Sequence, residues 1–154
     1  MDLALELCER LCEYSYLRRV VYYATDRPGW WARTFLGDRL SGLVYTVKLK
    51  EEEALHDLFD SGFWSMLSSG RTLGFEAKVV PWLDFSNPGR LTASLALLAH
   101  IVDCVDKQSS LSPDFILDVV CAPVCHRIKA LVHMKKLQLG SSEDSLSPVV
   151  EEVE

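Results

Sequence analysis

Apolar residues at Leu3, Leu7, Leu11, Tyr14 and Leu17 or Val21 recur every three or four positions, with Glu6, Glu9, Arg10 and Glu13 between them. That spacing predicts an amphipathic opening helix. Asp26-Arg27-Pro28-Gly29 ends it, because proline cannot continue a helix and biases its predecessor toward extended backbone. Trp30, Trp31, Phe35 and Leu36 follow in a short segment, the two tryptophans expected to pack under the opening helix. A second helix is predicted to begin near Asp38, with Leu40, Leu43, Val44 and Val47 on one face. The charge run Lys48 to Glu53 then reads as a solvated face, and Ala54, Leu55, Leu58 and Phe59 resume the apolar stripe. Ser61-Gly62 breaks it before a short turn carrying Phe63, Trp64, Met66 and Leu67, and Ser68-Ser69-Gly70 is a linker. From Leu73 to Leu83 the pattern is helical again, with Phe75, Val79, Val80 and Leu83 inward and a bend or early end at Pro81.

The best-punctuated start is Ser86-Asn87-Pro88-Gly89-Arg90, where Asn87 can cap free amides and Pro88 suits the first helical position. The helix that follows has Leu91, Ala93, Leu95, Ala96, Leu97, Leu98, Ile101, Val102 and Val105 on more than one face. In a water-soluble fold such a helix is surrounded by others. Ser112-Pro113-Asp114 repeats the cap-then-proline signal and opens a last helix, which Pro123 should kink or divide and Gly140 should end after Leu139. No strand alternation, repeat or second domain is visible. The expectation is an all-α domain over residues 1–139 and an acidic, Ser-rich tail over 140–154 with too little to bury to be ordered.

A chain of 154 residues is long enough for one core. Its net charge of −6 argues against nucleic acid as a partner, since phosphate binding is driven by Lys and Arg. Lys129, Lys135 and Lys136 cluster late in the last helix, where cations complement the helix dipole. The acidic start Met1-Asp2-Leu3-Ala4-Leu5-Glu6 does not resemble a secretory signal, and the weakly charged run Leu91 to Val105 is shorter than the roughly 20 residues that span hydrocarbon. An intracellular protein without a transmembrane anchor is expected.

Five cysteines without C-x-x-C spacing suit reduced thiols buried as small core residues. Cys8 and Cys12 share a helix face, as do Cys121 and Cys125, with His126 and His133 near the second pair. Zinc needs convergent ligands, and His126 points about 100° away from Cys125 on a helix, so neither a metal nor a cofactor is expected. An enzyme is not expected either: there is no nucleophile elbow, phosphate loop, dinucleotide fingerprint or zinc-protease helix.

The run Leu83-Asp84-Phe85-Ser86-Asn87-Pro88-Gly89-Arg90 followed by a long Ala/Leu helix resembles the signature of the small early-region-1B proteins of adenoviruses, the small T antigens. The similarity extends through Leu111-Ser112, Leu117-Asp118 and Lys135 to Leu139, and backward through Gly62 to Val80 and Leu43-Val44 to Lys48, more weakly before Trp30. The resemblance implies a Bcl-type helical bundle around a hydrophobic central helix. Asn87, Gly89 and Arg90 match the Asn-Trp-Gly-Arg of cellular Bcl-type inhibitors, with Pro88 in place of the tryptophan. Gly37-Asp38 resembles the Gly-Asp pair of a death helix, but Arg33 stands where a leucine should, so the pair reads as a loop and helix cap.

What this resemblance implies is an inhibitor of host-cell apoptosis that takes the amphipathic death helix of Bak, Bax or related ligands into a hydrophobic groove. Gly89 would let the ligand backbone approach and Arg90 would pair with the ligand's aspartate. Asn87, Val79, Leu83 and Phe85, with Phe63 and Met66, are the other candidate groove residues. The family also implies host cytoplasm, intracellular membranes reached through partners, and the nuclear envelope. The competing reading is a helical adaptor that binds through other faces or its acidic tail.

Overall fold

In the computed structural model, which describes residues 2–69 and 73–153, the chain is all-α, with nine helices and no strand among the described residues. They are α1 (Leu3–Leu11), α2 (Tyr14–Ala24), α3 (Trp30–Leu36), α4 (Arg39–Lys50), α5 (Glu52–His56), α6 (Ser61–Ser68), α7 (Leu73–Lys78), α8 (Pro88–Gln108) and α9 (Pro113–Val153), with a 3₁₀ turn at Val80–Trp82. The expected bend at Pro81 is that turn.

The centre is α8. Leu91, Leu95, Ala96, Leu98, Ala99 and Ile101 are fully buried, and α1, α2, α4, α5, α6 and α9 all pack on this helix. Its start follows the sequence signal: the Asn87 side chain accepts the Arg90 amide at 2.8 Å, and Pro88 stands at the first helical position. Asp38 caps α4 in the same way, accepting the Ser41 amide at 2.9 Å. Gly37 is required just before it, because a Cβ there would lie 2.7 Å from the carbonyl oxygen of Arg33.

The opening helix is two. Glu13 takes extended backbone and α2 starts anew, so α1 packs on α8 and α9 while α2 packs on α4, α8 and α9. The buried face of α1 is Ala4, Cys8 and Leu11, one position round from the expected stripe, and Leu3 is exposed. Two ion pairs of Arg18, with Asp114 at 2.8 Å and Asp118 at 3.1 Å, join α2 to α9.

Trp30 and Trp31 do not pack under the opening helix: they are 72% and 65% exposed, and no residue of α3 is buried. This segment is held by polar contacts instead. The Arg33 guanidinium donates to the carbonyls of Tyr23, Thr25 and Pro28 and lies over the Tyr45 ring, 3.7 Å from its centroid.

Lys48 also departs from the expected solvated face. It is 1% exposed, its ammonium 2.8 Å from Asp26 and 2.5 Å from Asp103 of the central helix. Asp103 in turn accepts the Asp26 amide at 2.8 Å. A buried ammonium is retained because two carboxylates meet it. Burial pushes the Asp103 carboxyl above the usual range, against the opposing pull of Lys48.

Pro123 does not divide α9, which runs on through it with the flanking residues Val120, Cys121, Val124 and Cys125 all buried. The helix also runs through the expected end at Gly140. Lys135 and Lys136 therefore lie within it and face α1, 3.8 Å from Asp2 and 3.7 Å from Glu9, rather than serving a helix end. The side chains beyond Gly140 lie outside the described residues, and with them the expected acidic tail.

Candidate functional site

An apolar cleft of 210 Å³ opens beside Arg90. Leu55 and Leu58 form one wall, Trp82 and Leu83 the floor at the end of the 3₁₀ turn, and Ala93, Ser94 and Leu97 of α8 the other wall. Leu58 and Trp82 are 48% and 67% exposed, so the cleft presents unpartnered apolar surface to solvent. The arrangement follows from the local sequence. Leu83 is extended after the turn, Asn87 starts α8 four residues later, and the first turn of α8 sets Arg90 at the rim.

Arg90 is 65% exposed in its side chain and is paired with Asp84, its guanidinium 3.0 Å from the carboxylate. Hydrogen bonds from Ser86, and then the Arg90 guanidinium, hold the Asp84 carboxyl below the usual range. The Asp84 amide donates to the Ser94 hydroxyl at 2.9 Å, which fixes this corner against α8. Sequence reasoning missed Asp84, although its place in the Leu83 to Arg90 signature was the available signal.

Gly89 is exposed, and a Cβ added there would meet only the Asn87 side-chain oxygen, at 3.5 Å. Tight helix packing therefore does not explain this glycine. Asn87 acts as the helix cap. Leu83 lines the cleft and is 8% exposed, whereas Val79 and Phe63, at 0% and 2%, are packed in the core, and Phe85, at 6%, lines a neighbouring cleft rather than this one. Met66 is half-buried and lies over Gly74, where a Cβ would overlap its thioether. Leu55, Leu58, Trp82, Ala93 and Leu97 are cleft residues the sequence pattern did not single out, because their meeting is a tertiary event.

A second cleft, of 320 Å³, runs from Leu83, Asp84, Phe85 and Ser86 across α1 at Ala4, Leu5 and Cys8 to Arg127, Leu131, Val132 and Lys135 of α9. The two share Leu83 and Asp84, so the Leu83-to-Arg90 signature sits between them. Cys121 and Cys125 do not converge with His126 and His133. Cys121 is fully buried, Cys125 donates to the Leu11 and Cys12 carbonyls, and His126 and His133 are on the surface.

The sequence pattern of the adenovirus E1B 19K protein / small t-antigen family matches residues 1–137. The chain belongs to this family. The small T-antigen E1B protein of human adenovirus C serotype 2 is 32% identical over 90% of the chain and 79% of its own length. That of human adenovirus F serotype 40 is 28% identical over 97% of the chain and 91% of its own length. For simian adenovirus serotype 7 the identity is 31%, over 75% of this chain and 66% of the relative. No solved structure matches the chain. As an adenoviral E1B small protein, it has no described helix long and apolar enough to cross a membrane.

Proposed function

We propose that this E1B small protein inhibits host-cell apoptosis by taking the amphipathic death helix of Bak, Bax or a related ligand into the cleft between α5 and α8. The observation that carries this reading is a cation, Arg90, on the rim of an open apolar cleft. A death helix presents apolar anchors at three- and four-residue spacing and an aspartate beside them. Leu55, Leu58, Trp82 and Leu97 take the anchors and Arg90 takes the aspartate, in exchange for its own Asp84. The bundle plays the part of a Bcl-type domain, and its intracellular sites are host cytoplasm, membranes reached through the bound partner, and the nuclear envelope.

The test is a panel of death-helix peptides titrated against the purified chain. If the bound helix covers Arg90 and partly desolvates its pair with the ligand aspartate, Arg90→Ala should weaken binding by about 2–5 kcal/mol, much of it from leaving that aspartate unpaired. Gly89→Glu adds bulk and a like charge at the ligand's path, and should abolish binding. Because the position is open and an acidic residue in a first helical turn complements the dipole, that variant should fold as well as the parent. If both variants are folded by circular dichroism and bind every peptide as the parent does, the assignment is wrong.

A second reading, a helical adaptor, is favoured by one observation. Trp30, Trp31, Phe35 and Leu36 of α3 are all at least 60% exposed and lie far from any role in the core. Loss of partner capture on Trp31→Ser, with peptide binding intact, would support this reading.

A further inference from the structure

The geometry assigns a zinc site to His56, His100 and Cys104, independent of the groove reading. His56 Nδ1 lies 3.1 Å from His100 Nε2, Cys104 Sγ lies 3.4 Å from that same His100 nitrogen, and the sulfur is 4.0 Å from His56 Nδ1. A tetrahedral zinc, with Zn–N about 2.0–2.1 Å and Zn–S about 2.3 Å, separates two nitrogens by about 3.3 Å and a nitrogen from a sulfur by about 3.6 Å. The observed triangle has those dimensions to within about 0.4 Å, a difference that small χ rotations absorb.

The backbone explains how the triangle arises. His100 and Cys104 are four apart on α8 and share one face, while His56 is the last residue of α5, packed against that face. Two imidazoles and one thiolate select zinc over magnesium or calcium, which take oxygen ligands. Three protein ligands leave a fourth position for water or an incoming group.

The surroundings are those of a metal site as well. The other nitrogen of His100, Nδ1, lies 4.0 Å from the half-exposed Glu52 carboxylate, beyond hydrogen-bond distance but close enough for a small rotation of Glu52 to supply the outer-shell carboxylate of a ligating histidine. The Trp64 ring stacks on His56, centroids 4.5 Å apart and 8° from parallel, and its indole N–H donates to the His56 carbonyl. His56 is fixed in this way yet partly exposed, which gives the ion an entry path. The cations nearest in effect, Lys48 and Lys107, are each already paired with aspartates.

Without metal, His100 Nε2 stands within hydrogen-bond distance of both His56 Nδ1 and Cys104 Sγ. On binding, Zn²⁺ replaces the Cys104 thiol proton, which leaves to solvent, and His56 carries its own proton on Nε2. The ion joins α5 to α8 one residue beyond Leu55, and so holds one wall of the cleft against the other.

The experiment titrates the full metal-stripped chain with Zn²⁺, and with Co²⁺ as a spectroscopic stand-in. One equivalent of Co²⁺ should give a thiolate-to-cobalt charge-transfer band with the intense visible bands of a four-coordinate site, and Zn²⁺ should erase both and raise Tm. Cys104→Ser should lose the charge-transfer band. His56→Gln should weaken Zn²⁺ binding by more than a hundredfold and Glu52→Gln by roughly tenfold, the outer-shell effect. His133→Gln should change nothing. Absence of the charge-transfer band in the parent, or its survival in folded Cys104→Ser, overturns the site. If Cys104→Ser does not fold, His56→Gln decides alone, since its side chain is partly exposed: unchanged Zn²⁺ affinity there overturns the site too.

Discussion

Replacing Lys48 by methionine keeps the length of the side chain and removes its charge at a position that is 1% exposed. Asp103 is then left in the interior with the Asp26 amide, 2.8 Å away, as its one remaining partner in this network. Breaking a buried pair by removing one member costs about 3–5 kcal/mol, because the other charge stays buried without compensation. In a domain of this size that corresponds to a Tm lower by about 6–20 °C. The pH dependence gives the sign. Burial already raises the Asp103 carboxyl in the fold, with Lys48 opposing, so removal of Lys48 raises it further. A carboxyl raised in the folded state contributes stability that is complete below its unfolded pKa, about 3.9, and is lost as pH rises through the folded value. The deficit of Lys48→Met relative to the parent should therefore be smallest near pH 4 and grow toward neutrality. Adding Asp103→Asn removes the stranded charge and keeps an acceptor for the Asp26 amide, so the double variant should recover most of the loss. Urea denaturation followed by circular dichroism at several pH values measures all of this. A loss below about 1 kcal/mol, the range of a surface ion pair, would refute the buried-network argument. A double variant no more stable than the single one would refute it as well.

Asp84→Asn should leave death-peptide binding unchanged or slightly tighter, since the ligand then has only a weak, solvent-exposed Arg90–Asp84 pair fewer to displace; weaker binding in calorimetric titration would mean that Asp84 helps to hold the ligand. Asp38→Ala should cost about 1–3 kcal/mol, from the lost α4 cap and the unmade bond of the half-buried Tyr16 hydroxyl. Burial raises the Asp38 carboxyl, but Tyr16 and Ser41 outweigh it and hold the group below the usual range. Its stabilisation is thus present above pH ~3.9 and lost as pH falls through the lower folded value, so the variant should show a shallower acid limb in denaturation. Removing Ser141 to Glu154 should leave Tm nearly unchanged, because residues 133–140, the last described side chains of α9, are all exposed and the helix has already left the core after Val132. A fall of many degrees would show that the segment docks.

The sequence by itself determined the punctuation and the centre of this protein. Asn87-Pro88 and Asp38 are local signals, since a cap bonds amides within its own first turn, and they start α8 and α4 where the residues say. The all-round apolar pattern from Leu91 to Val105 could be buried in only one way, with helices on every side. The Leu83 to Arg90 signature was equally local, and it was enough to point to the family. What the tertiary structure decided were the partnerships between distant segments. Lys48 reads as surface in any charge run, and only the approach of Asp26 and Asp103 gives its ammonium a place in the interior. Trp30 and Trp31 read as core, but the space beneath α2 is taken by α4, α8 and α9, and Arg33 anchors α3 through polar contacts that leave the rings outside. Val79 and Phe63 lie inside while Leu58 and Trp82 line the cleft, a division that periodicity cannot make because all four are apolar residues on short helices or turns. His56 meets His100 and Cys104 across 44 and 48 residues for the same reason: a ligand set of this kind is made by packing one helix end against another, and no spacing along the chain encodes it.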